Sequence, residues 1–189
     1  ITQFTTLNQI NNKIDCILDV GANTGQYGES LRKQGYQGWL VSFEPVRAVF
    51  EKLEQCAEND GKWLCYNFAL GEQAEDKKIN VYSSTVFSSF LEATDHAKGI
   101  WNSLDEVAFE NVSVVTLDGI FSDIKKRTSA KNYYLKLDTQ GYDINVFRGA
   151  RKSLSHVLAM QAEISLIHIY EKCRIHIKLW KNLTRMDFS

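Results

Sequence analysis

The apolar residues of this chain follow two different periods in turn. Short continuous apolar runs, typical of strands buried on both faces, alternate with longer stretches in which apolar side chains recur every three to four residues, as along one face of a helix. This alternation predicts an α/β fold with a mostly parallel central sheet and helices on both faces. The apolar runs place strands at 16–20, 39–43, about 63–68, 133–137 and about 157–164, with a short extra strand at 79–82.

Four helices are predicted between these strands. The first runs from Tyr27 to Gln34 and is closed by Gly35, and the second opens at Pro45. The third is marked by apolar residues at helical spacing, namely Leu117, Ile120, Phe121 and Ile124. The fourth is capped by Asp143, with a predicted inner face of Ile144, Phe147, Ala150 and Leu154. The chain has no internal repeat or low-complexity linker, so residues 1–189 are predicted to form a single domain.

Residues 83–112 interrupt this alternation of strand and helix patterns. Serines alternate with apolar residues as far as Leu91, and a polar stretch with His96, Gly99 and Trp101 follows. Long connections in compact domains are usually functional, and this one lies near the carboxyl ends of the strands, where open sheets bind ligands. We therefore predict either a lid that contacts the substrate or an edge hairpin.

A glycine turn follows the first strand and an acidic residue ends the second. Gly21 can adopt a positive φ and lets a ligand approach the backbone, and Asn23 is among the few other residues that tolerate such angles. Glu44 follows about 20 residues after this turn, at the distance where a carboxylate binds a ribose diol. The pattern predicts a site for an adenosine-bearing cofactor.

The glycine spacing narrows the choice of cofactor. Dinucleotide sites use G-x-G-x-x-G, whereas this chain has G-x-x-x-G-x-x-G at Gly21, Gly25 and Gly28, with Asn23 in place of the second glycine. Such a turn suits a cofactor that has no pyrophosphate, and the chain contains no Tyr-x-x-x-Lys pair. An NAD(P)-dependent oxidoreductase and a non-catalytic nucleoside-binding domain remain the alternatives.

The chain resembles the FkbM-type family of S-adenosylmethionine-dependent methyltransferases from about Cys16 to about Tyr170. The resemblance is carried by motifs in family order and at family spacing: Asp19-Val20-Gly21-Ala22-Asn23-Thr24-Gly25, Phe43-Glu44-Pro45, Asn67-Phe68-Ala69-Leu70-Gly71, Val115-Thr116-Leu117-Asp118, Leu135-Lys136-Leu137-Asp138-Thr139-Gln140-Gly141-Tyr142-Asp143 and Phe147-Arg148-Gly149-Ala150. One position departs from the family, because Gln140 stands where the family usually has Glu. An acid or base role at that position is not expected here.

The resemblance implies a Rossmann-like class I methyltransferase fold. Such a sheet normally continues past the fifth strand with a helix and two more strands, of which the last is antiparallel. Only about 19 residues follow Tyr170, so the C-terminal strands are expected to be incomplete. The chain also begins at Ile1 without an initiator Met, and both termini are expected to be truncated.

The resemblance further implies S-adenosylmethionine as cofactor and O-methylation of a sugar or natural-product hydroxyl. We expect Glu44 to accept hydrogen bonds from the ribose, residues 21–25 to lie beneath the methionine and ribose, and Ala69 with Leu70 to flank the adenine. The full predicted cofactor set is Asp19, Gly21, Ala22, Asn23, Thr24, Gly25, Glu44, Pro45, Ala69 and Leu70.

Two carboxylates are the catalytic candidates, because a hydroxyl acceptor must lose a proton. Asp138 ends the fourth strand near the switch point of the sheet and is predicted to be the general base, with a hydrogen-bonding role as the alternative. Glu163 lies in an apolar run, where an unpaired carboxylate is costly, and is predicted to act in catalysis or substrate binding. Lys136 is predicted to pair with a neighbouring acid and His168 to be structural. No metal is predicted.

Composition restricts the partners. A net charge of −1 gives no basic surface for nucleic acid, and no apolar run approaches the roughly 20 residues of a membrane span. The four cysteines are scattered without a C-x-x-C motif and are predicted to be reduced, which is typical of a cytoplasmic protein. The expected partner is a small-molecule acceptor; whether the protein is a monomer or a homo-oligomer is left open.

Overall fold

A computed structural model describes residues 13–82, 89–90 and 106–162 of the chain. Its elements, in chain order, are β1 (Cys16–Val20), α1 (Gln26–Lys33), β2 (Trp39–Phe43), α2 (Arg47–Ala57), β3 (Trp63–Tyr66), β4 (Ala69–Leu70), β5 (Glu75–Tyr82), β6 (Glu106–Val115), α3 (Leu117–Thr128), β7 (Tyr133–Leu137), α4 (Asp143–Arg148), a 3₁₀ turn (Ser153–His156) and β8 (Val157–Ala162).

The main sheet has five parallel strands in the order β3-β2-β1-β7-β8. Alternate residues of each strand point to opposite faces, and the two faces belong to different core clusters. One cluster packs Leu18 and Leu135 against Phe121 of α3 and Val146 of α4. The other packs Ile17 against residues of α1 and α2, including Leu31, Phe50 and Leu53. The predicted mostly parallel α/β sheet with helices on both faces is confirmed.

The strand order reverses at β1, which lies between β2 and β7. Because the strands are parallel, the turns that follow β1, β2 and β7 meet at one edge of the sheet. Ligands of open α/β sheets bind in the crevice at such a switch point. The fold therefore brings together the glycine turn, Glu44 and Asp138, which are far apart in sequence.

The predicted third strand, 63–68, is wrong at its end. β3 stops at Tyr66, and Ala69–Leu70 forms a separate short strand that pairs with β6 in a second sheet of order β4-β6-β5. The side-chain amide of Asn67 donates to the backbone carbonyls of Glu44 (2.9 Å) and Pro45 (3.0 Å). These bonds fix a turn that directs the chain away from the main sheet.

The predicted 83–112 insert is also too long. Residues 106–112 belong to β6, which pairs antiparallel with β5. β5 begins at Glu75 and not at Ile79. The prediction missed its start because the first residues of the strand are charged and half-exposed and so carry no apolar signal. This pairing favours the hairpin interpretation over a wholly irregular insert. Residues 83–88 and 91–105 lie outside the described part of the chain.

The fourth helix is shorter than predicted, and its cap residue differs. Tyr142, not Asp143, is its N-cap residue, and the helix ends at Arg148. Asp143 is buried and accepts hydrogen bonds from the backbone N–H and the hydroxyl of Thr139. Val146 points to the core, whereas Ile144 and Phe147 are half-buried and Ala150 and Leu154 are buried beyond the end of the helix. A Cβ on Gly149 would lie 1.9 Å from the carbonyl oxygen of Gly71, so the helix ends at a close backbone contact.

The remaining boundaries agree with the sequence to within a few residues. β1, β2 and β7 have their predicted limits, and α1 is displaced by one residue. Cys16, Cys56 and Cys65 are free thiols, and Cys173 lies outside the described residues. In the ranges that the structure describes, no helix has the length and apolar character needed to cross a bilayer.

Candidate functional site

A cleft opens at the switch point of the sheet. The empty space between its walls, which is open to solvent, is about 650 Å³. Its lining combines backbone turns, apolar side chains and two carboxylates: Val20, Gly21, Asn23, Phe43, Glu44, Pro45, Ala69, Leu70, Ile79, Ser89, Phe90, Asp138, Thr139, Gln140 and Tyr142.

The glycine turn after β1 forms the floor of this cleft. Gly21 has φ +77°, and a Cβ at this position would lie 2.0 Å from the backbone carbonyl oxygen of Asp138. No other residue fits there, because the turn after β1 touches the turn after β7 directly. Asn23 follows in the left-handed region with φ 50°, which turns its N–H toward the end of β2.

Glu44 is held at the end of β2 by this same turn. Its Oε2 accepts the N–H of Asn23 at 3.0 Å and its Oε1 accepts the N–H of Val46 at 2.9 Å. Each carboxylate oxygen can accept a further bond, and Glu44 lines the cleft. Burial raises the pKa of Glu44 to about 7, with smaller contributions from Asp19 and Glu110, although the two backbone bonds oppose the shift. The carboxylate is therefore oriented before any ligand arrives.

An apolar pocket lies beside Glu44. Ala69 and Leu70 are buried and line it together with Pro45, Phe43 and Ile79. Two of these residues, Phe43 and Ile79, were not predicted as site residues, since apolar strand residues carry no signal that separates core from lining. The pocket can accept a flat apolar group whose polar sugar points toward Glu44.

Four of the predicted cofactor residues do not line the cleft in the described structure. Ala22 packs in the core, Thr24 donates its N–H to the side chain of Asn23 at 2.8 Å, and Gly25 has φ +93° at the start of α1. Asp19 is buried behind the turn. Their contribution is to shape the turn, and direct contact with a ligand remains a prediction for them.

Three charged side chains lie in a row under the turn. In the parallel register Asp19 of β1 is opposite Lys136 of β7. Lys136 Nζ lies 2.9 Å from Asp19 Oδ1 and 3.3 Å from Asp138 Oδ2. Burial lowers the pKa of Lys136, but the two carboxylates outweigh it and raise that pKa above its usual value. Lys136 is therefore a buried cation that bridges two acids, so its predicted pairing is confirmed.

Asp138 is the member of this row that faces the cleft. Its side chain is 36% exposed, and its Oδ1 accepts the side-chain N–H of Gln140 at 3.1 Å. Gln140 has φ 51°, which places its carboxamide over Asp138. Glu163 and His168 lie outside the described residues, so Asp138 is the catalytic candidate that the structure locates.

Another wall of the cleft includes Ser89 and Phe90, which lie in the segment predicted as a lid or hairpin but were not named as site residues, and Tyr142. Ser89 Oγ donates to the carbonyl of Gln140 at 2.9 Å, and Ser89 exchanges two backbone hydrogen bonds with Asn80. Phe90 packs on Tyr142 with ring centroids 4.7 Å apart. These contacts join parts of the chain that are distant in sequence, and a weak signal lay only in the alternation of serine and apolar residues around Phe90.

No group of three or more His, Cys, Asp or Glu residues in the described ranges is arranged to hold a metal ion.

Comparison with known protein families gives a match. The family model of the methyltransferase FkbM domain matches residues 19–189, most of the chain. No curated protein and no solved structure matches. The matched region includes the glycine turn, Glu44, the charged row and the cleft. The chain therefore belongs to the FkbM methyltransferase domain family and is a methyltransferase.

Proposed function

We propose that the protein transfers a methyl group from S-adenosylmethionine to a hydroxyl group of a small molecule, a sugar or a natural product. The observation that carries the proposal is Glu44, a carboxylate fixed at the switch point by the N–H of Asn23 and directed into the cleft. A buried, pre-oriented carboxylate beside a glycine turn is suited to accept both hydroxyls of a ribose.

The rest of the cleft supports this placement of the donor. With the ribose on Glu44, the adenine would enter the apolar pocket between Ala69, Leu70 and Pro45. The methionine would extend over Gly21, where the absence of a side chain lets the ligand approach the backbone. The methyl group would then point toward Asp138 on the other side of the switch point.

The electrostatics of the cleft disfavour a nicotinamide dinucleotide. Glu44 and Asp138 are both acidic, and no basic residue stands among the described residues that line the cleft. A pyrophosphate would meet two carboxylates and no basic side chain among the described lining residues. S-adenosylmethionine has no phosphate, and its net charge is positive.

The reaction needs little chemistry from the protein. The acceptor oxygen attacks the methyl carbon as the C–S bond breaks, and the bonding pair stays on sulfur to give neutral S-adenosylhomocysteine. The acceptor proton would pass to Asp138, which lines the cleft and is not used to hold the ribose in this proposal. Alignment of the two reactants lowers the activation free energy by on the order of 7 kcal/mol in favourable cases. A general base increases the rate by roughly 10²–10⁴-fold.

Calorimetry with two ligands tests the proposal. We expect S-adenosylhomocysteine to bind and NAD to show no heat of binding at the same concentrations. Labelled S-adenosylmethionine with a panel of sugars and hydroxylated natural products should then identify the acceptor. Binding of NAD alone would favour the oxidoreductase, and cofactor binding with no transfer to any acceptor would favour a non-catalytic domain.

Cofactor binding should also depend on pH through Glu44. The pKa of Glu44 is about 7 in the unliganded protein, and the ribose hydroxyls donate to the ionised form. Affinity is therefore high above pH 7 and falls as Glu44 becomes protonated. Between pH 8 and pH 6 we expect S-adenosylhomocysteine binding to weaken by up to about tenfold. Glu44→Gln should bind more weakly but with a flat profile, and an unchanged slope in this variant would assign the titration to another group, such as Asp19, whose pKa burial also raises.

A further inference from the structure

The cleft carries an excess of negative charge. Asp19, Lys136 and Asp138 form a contiguous row with two carboxylates and one ammonium group. Glu44 adds a second acidic side chain to the lining, and no basic residue stands among the described residues that line the cleft. With both carboxylates ionised, the row carries a net charge of −1.

The buried end of the row cannot offset this excess. Asp19 is 1% exposed, and its Oδ1 receives Lys136 at 2.9 Å. Its Oδ2 is buried and has no hydrogen-bond partner among the described residues. Lys136 is thus held more closely by Asp19 than by Asp138, which lies 3.3 Å away. The positive charge stays beneath the floor of the cleft.

The exposed end of the row presents its charge to the ligand. Asp138 lines the cleft, and within the described ranges its second oxygen accepts a bond from the neutral amide of Gln140 alone, at 3.1 Å. An amide donor orients a carboxylate without neutralising it. A cation that enters beside Gly21 therefore meets a carboxylate with incomplete charge compensation.

We propose that Asp138 selects the cationic methyl donor over its neutral demethylated product. The inference rests on the proposed function, since it concerns the same adenosyl ligand. S-adenosylmethionine carries one net positive charge, and loss of the methyl group from sulfur removes it. The product then loses its attraction to Asp138 at the moment of transfer, while its contacts with Glu44 and the apolar pocket are unchanged. The arrangement favours product release and weakens product inhibition.

Sinefungin separates charge from reactivity. This analogue has a protonated amine on carbon in place of the methylsulfonium, so it keeps the positive charge and cannot transfer a methyl group. Calorimetry at pH 7.5 should show that it binds the wild-type protein about tenfold or more tightly than S-adenosylhomocysteine, as expected for a cation within a few ångströms of a partly desolvated carboxylate.

Asp138→Asn tests the residue. It keeps the size of the side chain and removes the charge, so the preference should fall to less than about threefold while S-adenosylhomocysteine affinity is nearly unchanged. Asp76→Asn is the matched control, because Asp76 is exposed and bonds to Ser113 outside the cleft lining; it should keep the full preference. Lys136→Gln should increase the preference, an effect in the opposite direction that structural damage would not produce.

The outcomes are distinct. Equal affinity of sinefungin and S-adenosylhomocysteine for the wild-type protein, or a preference that survives Asp138→Asn, overturns the inference and leaves the proposed function intact. Failure of all adenosyl ligands to bind overturns both. If Lys136→Gln does not fold, because Asp19 is left buried without its cation, the Asp138→Asn measurement decides alone.

Discussion

Glu44→Ala is expected to weaken the binding of S-adenosylhomocysteine at least tenfold. The ribose would lose its acceptor, and charge-assisted hydrogen bonds contribute about 1.5–3 kcal/mol each. Asn23 and Val46 would also lose the acceptor of their backbone N–H groups, so the glycine turn would no longer be held to the end of β2. Isothermal titration calorimetry at pH 8, where Glu44 is mostly ionised, gives the largest difference.

Two control variants separate the loss of the ribose contact from other effects. Glu72→Ala makes the same change at an exposed residue that pairs with Arg148, and it should bind like the wild-type protein. Glu44→Gln retains one acceptor oxygen and should bind with intermediate affinity. Thermal unfolding of each variant identifies any loss that comes from the fold. An unchanged dissociation constant in a folded Glu44→Ala protein would remove the ribose assignment.

The strands of the main sheet could be predicted because their surroundings repeat along the sequence. β1, β2 and β7 are buried on both faces, so nearly every residue in them is apolar and their limits are visible in the sequence. β5 lies in the second sheet with alternate residues exposed, and its charged start hides it. The fourth helix was predicted too long, because the apolar period continues past its end at Arg148 into Ala150 and Leu154, which also pack in the core.

The residues of the candidate site also fall into those that the sequence could predict and those that it could not. Sequence reasoning could find Gly21, Asn23 and Glu44, because a glycine turn followed by an acid about 20 residues later is a recognisable motif. The ion pair between Asp19 and Lys136 joins residues 117 positions apart, and only the strand order places them side by side. Sequence reasoning gave the pairing of Lys136 but not its second contact with Asp138.

A different reason explains why Ser89, Phe90 and Tyr142 could not be predicted as individual residues of the cleft wall. Its members meet through the contact of Ser89 with Gln140 and the tilted packing of Phe90 against Tyr142. Neither contact depends on a repeated pattern. Nothing in the sequence around Phe90 or Tyr142 distinguishes an aromatic residue that lines a cleft from one that packs in the core.

Asp138→Asn is expected to lower turnover by roughly 10²-fold or more while S-adenosylhomocysteine affinity changes little. The substituted amide keeps the size of the carboxylate and its contact with Gln140, but it cannot take the acceptor proton. Steady-state rates at saturating S-adenosylmethionine, with the acceptor identified by the screen, give the first constant. Calorimetry on the same preparation gives the second.

The two constants together assign the role of Asp138. If Asp138 instead anchors the ammonium of the cofactor's methionine, the affinity for S-adenosylhomocysteine should fall and turnover at saturating donor should survive, because that ammonium is present in the product as well. Asp76→Asn should leave both constants unchanged, since its side chain lies outside the described cleft lining. Wild-type values for both constants in Asp138→Asn would exclude Asp138 from the site. Asp138 is assigned as the general base only if the variant loses turnover and keeps its affinity for S-adenosylhomocysteine.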